Sequence, residues 1–182
     1  MRCFVGIDLL EKLKEDVTRF IKKTDNKGFF YGKYVELQNL HISLKFLGEV
    51  DDSKIKDVEK LLSEIKFATF TASLEGIGAF PSEHYVKVLW IGASKGNNEI
   101  IQLHSLIDEK LKSIFHKDKN FIPHLTLLRV KNVSDKSKVA SFFKENKNIK
   151  FGEFNVNSFH LYKSTLTSDG PIYEKIASFK LE

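Results

Sequence analysis

Two short segments, 83 positions apart, repeat one pattern: Leu40-His41-Ile42-Ser43-Leu44 and Pro123-His124-Leu125-Thr126-Leu127. After the first residue each reads His, apolar, hydroxyl, apolar. Successive side chains of a strand point to opposite faces, so residues i and i+2 share one. His41 therefore lies beside Ser43, and His124 beside Thr126, while Ile42, Leu44, Leu125 and Leu127 anchor the opposite face in a core. A chain carrying one such half-buried strand in each half has to build a sheet that displays both.

The rest of the sequence supplies that sheet and its cover. Residues 2–8 read as a buried strand. Leu10, Leu13, Val17, Phe20 and Ile21 follow at helical spacing. Residues 29–37 are aromatic and β-branched, a strand, and the first motif strand closes at Gly48. Asp51, Asp52 and Ser53 offer caps for a helix with the stripe Ile55, Val58, Leu61, Leu62 and Ile65. Strands are predicted over 67–80, with a bend or bulge at Gly76 and Gly78, and over 85–91 after a turn at 81–84. A helix over 97–115, a polar loop at 116–120, the second motif strand over 124–130 and a short helix over 134–145 come next. Two closing strands, 151–162 and 172–181, flank a Gly170-Pro171 turn. Strands joined by short turns, without strict βαβα alternation, give an α+β fold with helices packed on antiparallel sheets.

Length and composition fit one soluble unit spanning residues 1–182. The chain is 42% hydrophobic and 29% charged, with sixteen Phe against one Trp and one Met, so the core rests on Phe, Leu and Ile. No Pro-, Gly- or Ser-rich linker divides it. A net charge of +5 is compatible with an anionic partner such as nucleic acid. The lone Cys3 cannot form an internal disulfide and sits in an apolar run, where a buried thiol is expected. No signal-like or membrane-spanning apolar stretch is present, and a cytoplasmic location is expected. No Cys/His cluster, His-Glu-x-x-His, paired-carboxylate pattern, phosphate loop or dinucleotide fingerprint points to a metal or cofactor, so none is expected.

The motif pair carries a specific chemistry. An imidazole titrates near neutrality and serves as acid or base at physiological pH. One can take a proton from water while the other gives one to a leaving oxygen, and the adjacent hydroxyls can donate to a phosphate's non-bridging oxygens. Base on one side and acid on the other is what in-line displacement at phosphorus requires.

With its flanks, the sequence resembles the 2H phosphoesterase superfamily, and within it the RNA 2′,3′-cyclic phosphodiesterases, also called the 2′-5′ RNA ligase family. The resemblance covers nearly the whole chain. It rests on the Arg2-Cys3-Phe4-Val5-Gly6-Ile7-Asp8 opening, the run from Asn39 through Val50, Val88-Leu89-Trp90-Ile91-Gly92, Phe121-Ile122-Pro123 with the second motif through Arg129, residues 161–164, and Gly170-Pro171-Ile172-Tyr173. It implies two similar lobes related by a pseudo-two-fold, with the active-site cleft between them, and hydrolysis without a metal. His41 would be the proton donor and His124 the acceptor, with Ser43, Thr126 and Arg129 binding substrate. The expected partner is RNA with a 2′,3′-cyclic phosphate end, tRNA fragments among the candidates, acted on by a monomer. The alternatives are a module that binds such ends, or 2′-5′ linked RNA, without turnover, and RNA ligation at the same site.

Other residues are less constrained. The first motif has Ser43 where Thr is common, and Tyr34 stands where many relatives carry Trp. Arg129 has the wrong parity for the cleft unless the strand bulges or ends. Lys45 shares His41's parity and either reaches the site or ends in solvent. Phe46, on the anchoring parity, is expected in the core, as is Trp90. His104 is read as packed or exposed and His160 as partly buried. The lysine-rich stretches at 110–112 and 116–119 are read as solvated or as a guide for a polyanion.

Overall fold

The computed structural model describes residues 1–168 and 170–182. The elements in chain order are β1 (Arg2–Asp8), α1 (Glu11–Asp25), β2 (Phe30–Tyr34), a 3-10 turn (Leu37–Asn39), β3 (His41–Glu49), α2 (Asp52–Ser63), β4 (Phe70–Ser82), β5 (Tyr85–Ala93), α3 (Asn97–Leu111), β6 (His124–Val133), α4 (Lys136–Asn146), β7 (Lys150–Val156), β8 (Ser158–Leu166) and β9 (Pro171–Lys180). The fold is α+β, as expected. The strands join in the order β7-β4-β5-β6-β3-β1-β8-β9, and β2 pairs with β6. Every pairing is antiparallel.

That order is balanced about its centre. The motif strands β3 and β6 stand at the centre, each followed outward by three strands. They touch at one ladder position, Ile42↔Leu125. Beyond it β6 exchanges its neighbour for β2, through Lys33↔Arg129 and Tyr34↔Leu128. The sheet thus splits into two lobes that part from a single bridge and leave a cleft between them. Helices α2 and α3 serve the β3 lobe, while α1 and α4 pack on the β6 lobe. The anchoring residues lie where alternation puts them: Ile42 and Leu125 are fully buried, and Leu44 and Leu127 nearly so.

Local chemistry accounts for several boundaries. Asp135 caps α4, accepting from the backbone N–H of Ser137 and Lys138 at 3.0 and 3.1 Å. At Gly76 the β4–β5 register shifts between Glu75 and Ile77, and the glycine takes φ +75, where a side chain would be strained. Gly78 lies flat under Trp90, whose ring would meet a Cβ at 2.2 Å. Two expectations change. The stretch 151–162 is two strands, broken at Asn157, whose carbonyl accepts from Leu181 N–H at 2.9 Å. The strand expected over 29–37 ends at Tyr34 and gives way to the 3-10 turn.

Candidate active site

The bridge between β3 and β6 fixes the arrangement of the motif residues. With Ile42 opposite Leu125, one step of antiparallel register sets His41 beside Thr126 and Ser43 beside His124. The two histidines occupy a diagonal of this square, a separation of roughly 7–8 Å in a regular ladder, with Cβ atoms somewhat closer. That gap can seat a phosphate between two imidazoles. All four residues line one cleft of about 250 Å³, together with Tyr34, Phe46, Phe80, Arg129 and Tyr173.

Both imidazoles are held in the same way. His41 Nδ1 meets the carbonyl of Asn39 at 2.7 Å, and His124 Nδ1 that of Ile122 at 2.7 Å. A carbonyl can only accept, so each Nδ1 carries the proton and each neutral ring keeps its lone pair on Nε2. The Ser43 hydroxyl lies 2.9 Å from His41 Nε2. Aromatic walls fix the ring planes: Phe4 lies 4.7 Å from His41 and Tyr173 meets it edge-on at 5.3 Å, while Phe80 stands edge-on to His124 at 4.9 Å.

Burial holds the His41 imidazole down to about 4; the Asn39 bond and the Asp8 carboxylate oppose this, and His124 reinforces it. His124 is also lowered, by burial first, against the Ile122 bond, with Arg129 adding to the depression. In the free protein both rings are neutral at pH 7. Their neighbours differ in sign: a carboxylate favours imidazolium at His41, and a guanidinium favours neutral imidazole at His124. Asp8, opposite His41 in the β1–β3 ladder, is gripped by Lys14 at 2.7 Å and Lys175 at 2.5 Å. Burial raises its carboxyl, but these two bonds outweigh it and keep it below the usual range.

Matching bulges decide what else enters the cleft. In β3 the register against β1 shifts between Val5↔Lys45 and Gly6↔Ser43, leaving Leu44 as an extra residue. In β6 the register against β5 shifts between Leu89↔Leu128 and Trp90↔Thr126, leaving Leu127 extra. Each bulge lies three residues after the histidine and reverses the parity beyond it. Phe46 and Arg129, both five after a histidine, therefore turn into the cleft. This corrects the expectation for Phe46, which is 63% exposed, and brings Arg129 into the cleft as well. Lys45 is corrected too: it reaches neither cleft nor solvent and is buried, its ammonium paired with Asp108. Trp90 is only partly buried and stands 6.0 Å from His124.

Sequence patterns also missed a cluster behind β3, in which His104 and Asp108 are buried and Asp118 is exposed. His104, Asp108 and Asp118 bring one ligand atom each within 4.8 Å of one another, residues too scattered in sequence to form a motif. The ammonium of Lys45 pairs with both carboxylates. His160, expected to be partly buried, is buried outright and held by Ser178 Oγ at 2.8 Å. Lys110, Lys112 and Lys117 are exposed and bridge to Glu64 or Glu109.

The family model described as the 2′-5′ RNA ligase superfamily matches residues 3–167. The chain belongs to this superfamily. It is 42% identical over 177 residues to the RNA 2′,3′-cyclic phosphodiesterase of Methanocaldococcus jannaschii, covering 97% of this chain and 98% of that protein. It is 40% identical to the protein of the same name from Archaeoglobus fulgidus, over 99% and 100% of the two chains. Among solved superfamily structures, E. coli LigT complexed with 3′-AMP superposes with a TM-score of 0.80 at 26% identity, covering 99% of this chain and 97% of that one. Among the described residues, no helix is long and apolar enough to cross a membrane.

Proposed function

We propose that this chain hydrolyses 2′,3′-cyclic phosphate ends of RNA to 2′-phosphates, with His41 and His124 as the acid–base pair. The observation that carries the reading is the pair of Nδ1-anchored imidazoles whose Nε2 atoms face one cleft across a diagonal of the motif square. The relatives named above support the substrate. The cleft, below the roughly 300–1,000 Å³ of drug-sized sites, suits a nucleotide terminus rather than an RNA body.

The anionic substrate supplies the charge that the free site lacks and raises both imidazoles. His41, beside Asp8, becomes the imidazolium. Water attacks phosphorus as His124 Nε2 takes its proton, and the bond to the 3′ oxygen breaks as His41 Nε2–H protonates it. The products are a 2′-phosphomonoester and a 3′-hydroxyl. Ser43, Thr126 and Arg129 hold the non-bridging oxygens. The two halves of the chain act as one domain, because β1, β8 and β9 complete the β3 lobe from opposite ends of the sequence. Ligation through a 2′-5′ bond uses the same pair in reverse, and water at high concentration favours hydrolysis.

The test is incubation with an oligonucleotide ending in 2′,3′-cyclic phosphate, with the product identified by phosphorus NMR. A 2′-phosphate is expected, and His41→Ala and His124→Ala should each slow its appearance at least about 10²-fold. A 3′-phosphate product would reverse the placement of the substrate. Binding without turnover, or full activity in both variants, would refute the reading.

A further inference from the structure

Lys45, the one lysine of β3, does not reach the cleft and is only 2% exposed. Its ammonium donates to Asp108 on α3 and to the His116 carbonyl at 2.9 Å, and lies 3.5 Å from Asp118. Asp108 in turn accepts from the backbone N–H of Asp118 at 2.9 Å. His104 Nδ1 donates to the carbonyl of Leu44, the bulge residue itself, at 2.8 Å. Its ring stacks on Phe121 at 3.9 Å. One residue beyond Phe121 is Ile122, whose carbonyl holds His124 Nδ1.

The cluster therefore joins three things: the β3 bulge that follows His41 and Ser43, helix α3, and the segment leading into the second motif. The other lobe shows that this place can be filled otherwise. Its counterpart of Lys45, four residues after the histidine, is Leu128, fully buried. An apolar side chain satisfies the bulge, and a buried ion pair is seldom a gain in stability over apolar packing. What the lysine adds is direction: two hydrogen-bond acceptors, Asp108 and the His116 carbonyl, and a second carboxylate, Asp118, 3.5 Å away, the last two on the 116–118 segment.

We infer that Lys45, held by Asp108 and Asp118, is a positioning residue that locks the lead-in to His124 against the bulge after His41, setting the two catalytic half-sites in register. The inference rests on the cleft being the reaction site as proposed above. The two carboxylates of the metal-like grouping of His104, Asp108 and Asp118 already have a cation, the Lys45 ammonium.

The test compares Lys45→Met with Lys45→Met/Asp108→Leu, which restores an apolar contact, and with Lys110→Met, which breaks only an exposed pair with Glu64. Rates on a 2′,3′-cyclic phosphate oligonucleotide are read alongside thermal melting and the imidazole NMR signals of His124. In Lys45→Met, well below its melting temperature, kcat should fall about tenfold or more, with KM changed little and the His124 signals displaced; Lys110→Met should match the parent. The double variant should regain melting temperature but not kcat. Should Lys45→Met fail to fold, the double variant decides alone. A folded Lys45→Met with unchanged kcat and unmoved His124 signals, or a double variant whose kcat returns with its stability, overturns the inference. Full activity in both His41→Ala and His124→Ala refutes the cleft reading instead, and the His124 signals of the lysine variants still decide this one.

Discussion

Seating an anion in the cleft should make the protein take up a proton, and the size of the uptake can be worked out. The free His41 imidazole is held at about 4, so at about pH 5.5 only roughly 3% of it is protonated. A single negative charge about 4 Å away, at an effective dielectric of about 20, favours the imidazolium by about 4 kcal/mol. That moves the ring to about 7 and its protonated fraction to nearly one. Binding at about pH 5.5 should therefore draw in roughly 0.9 proton. At His124 burial first, and then the Arg129 guanidinium, oppose the imidazolium. The assay is titration calorimetry with uridylyl-uridine, whose phosphodiester does not titrate in this range, in two buffers of different ionisation enthalpy. His41→Gln should abolish the uptake, and His124→Gln should keep most of it. Clear binding heat with an uptake below about 0.2 proton would refute the assignment of His41 as the group that the substrate charges.

Four further outcomes follow from the same geometry. Because burial lowers both free imidazoles, both limbs of the kcat/KM profile should lie on the acid side of the ordinary imidazole range, and the kcat profile should be displaced to higher pH; coincident profiles would contradict this. The folded state binds fewer protons at His41 than the unfolded chain between about pH 6.5 and 4, so stability should fall through that window, by at most about 3 kcal/mol, and His41→Gln should flatten the fall in urea titrations. Phe46→Ala removes an exposed ring from the cleft and should raise KM several-fold, about 1 kcal/mol of base stacking, with kcat little changed; an unchanged KM would return Phe46 to a passive role. A chelator should leave the rate unchanged, because imidazolium, hydroxyl and guanidinium supply the charge at the cleft; loss with EDTA and recovery with Mg²⁺ or Mn²⁺ would refute the two-histidine mechanism.

Much of this site could be read from alternation alone. The rule that i and i+2 share a face placed His41 with Ser43 and His124 with Thr126, and their buried neighbours behaved as anchors. The same rule failed three residues later in both strands. A bulge is settled by the partner strand's register, here Gly6↔Ser43 followed by Val5↔Lys45, and no local signal announces it at Leu44 or Leu127. Parity therefore sent Phe46 inward and left Arg129 doubtful. Lys45 was illegible for a different reason. A lysine reads as solvated unless its partners are known, and these lie on α3 and in the 116–118 segment, more than sixty positions on. The break at Asn157 escaped because apolar residues continue on both sides of it.

The central place of β1 has a consequence for how such a chain is made. This strand lies between β3 and β8, so one of its edges is satisfied within the first fifty residues while the other waits for residues 158–166. During synthesis an apolar strand, with Phe4, Val5 and Ile7 all buried in the finished fold, stands with open backbone N–H and carbonyl groups until most of the chain has followed. Such an edge invites pairing with another nascent chain. A polypeptide stopped between β6 and β8 would keep both histidine strands yet leave that seam open, so the last strands guard the first against aggregation.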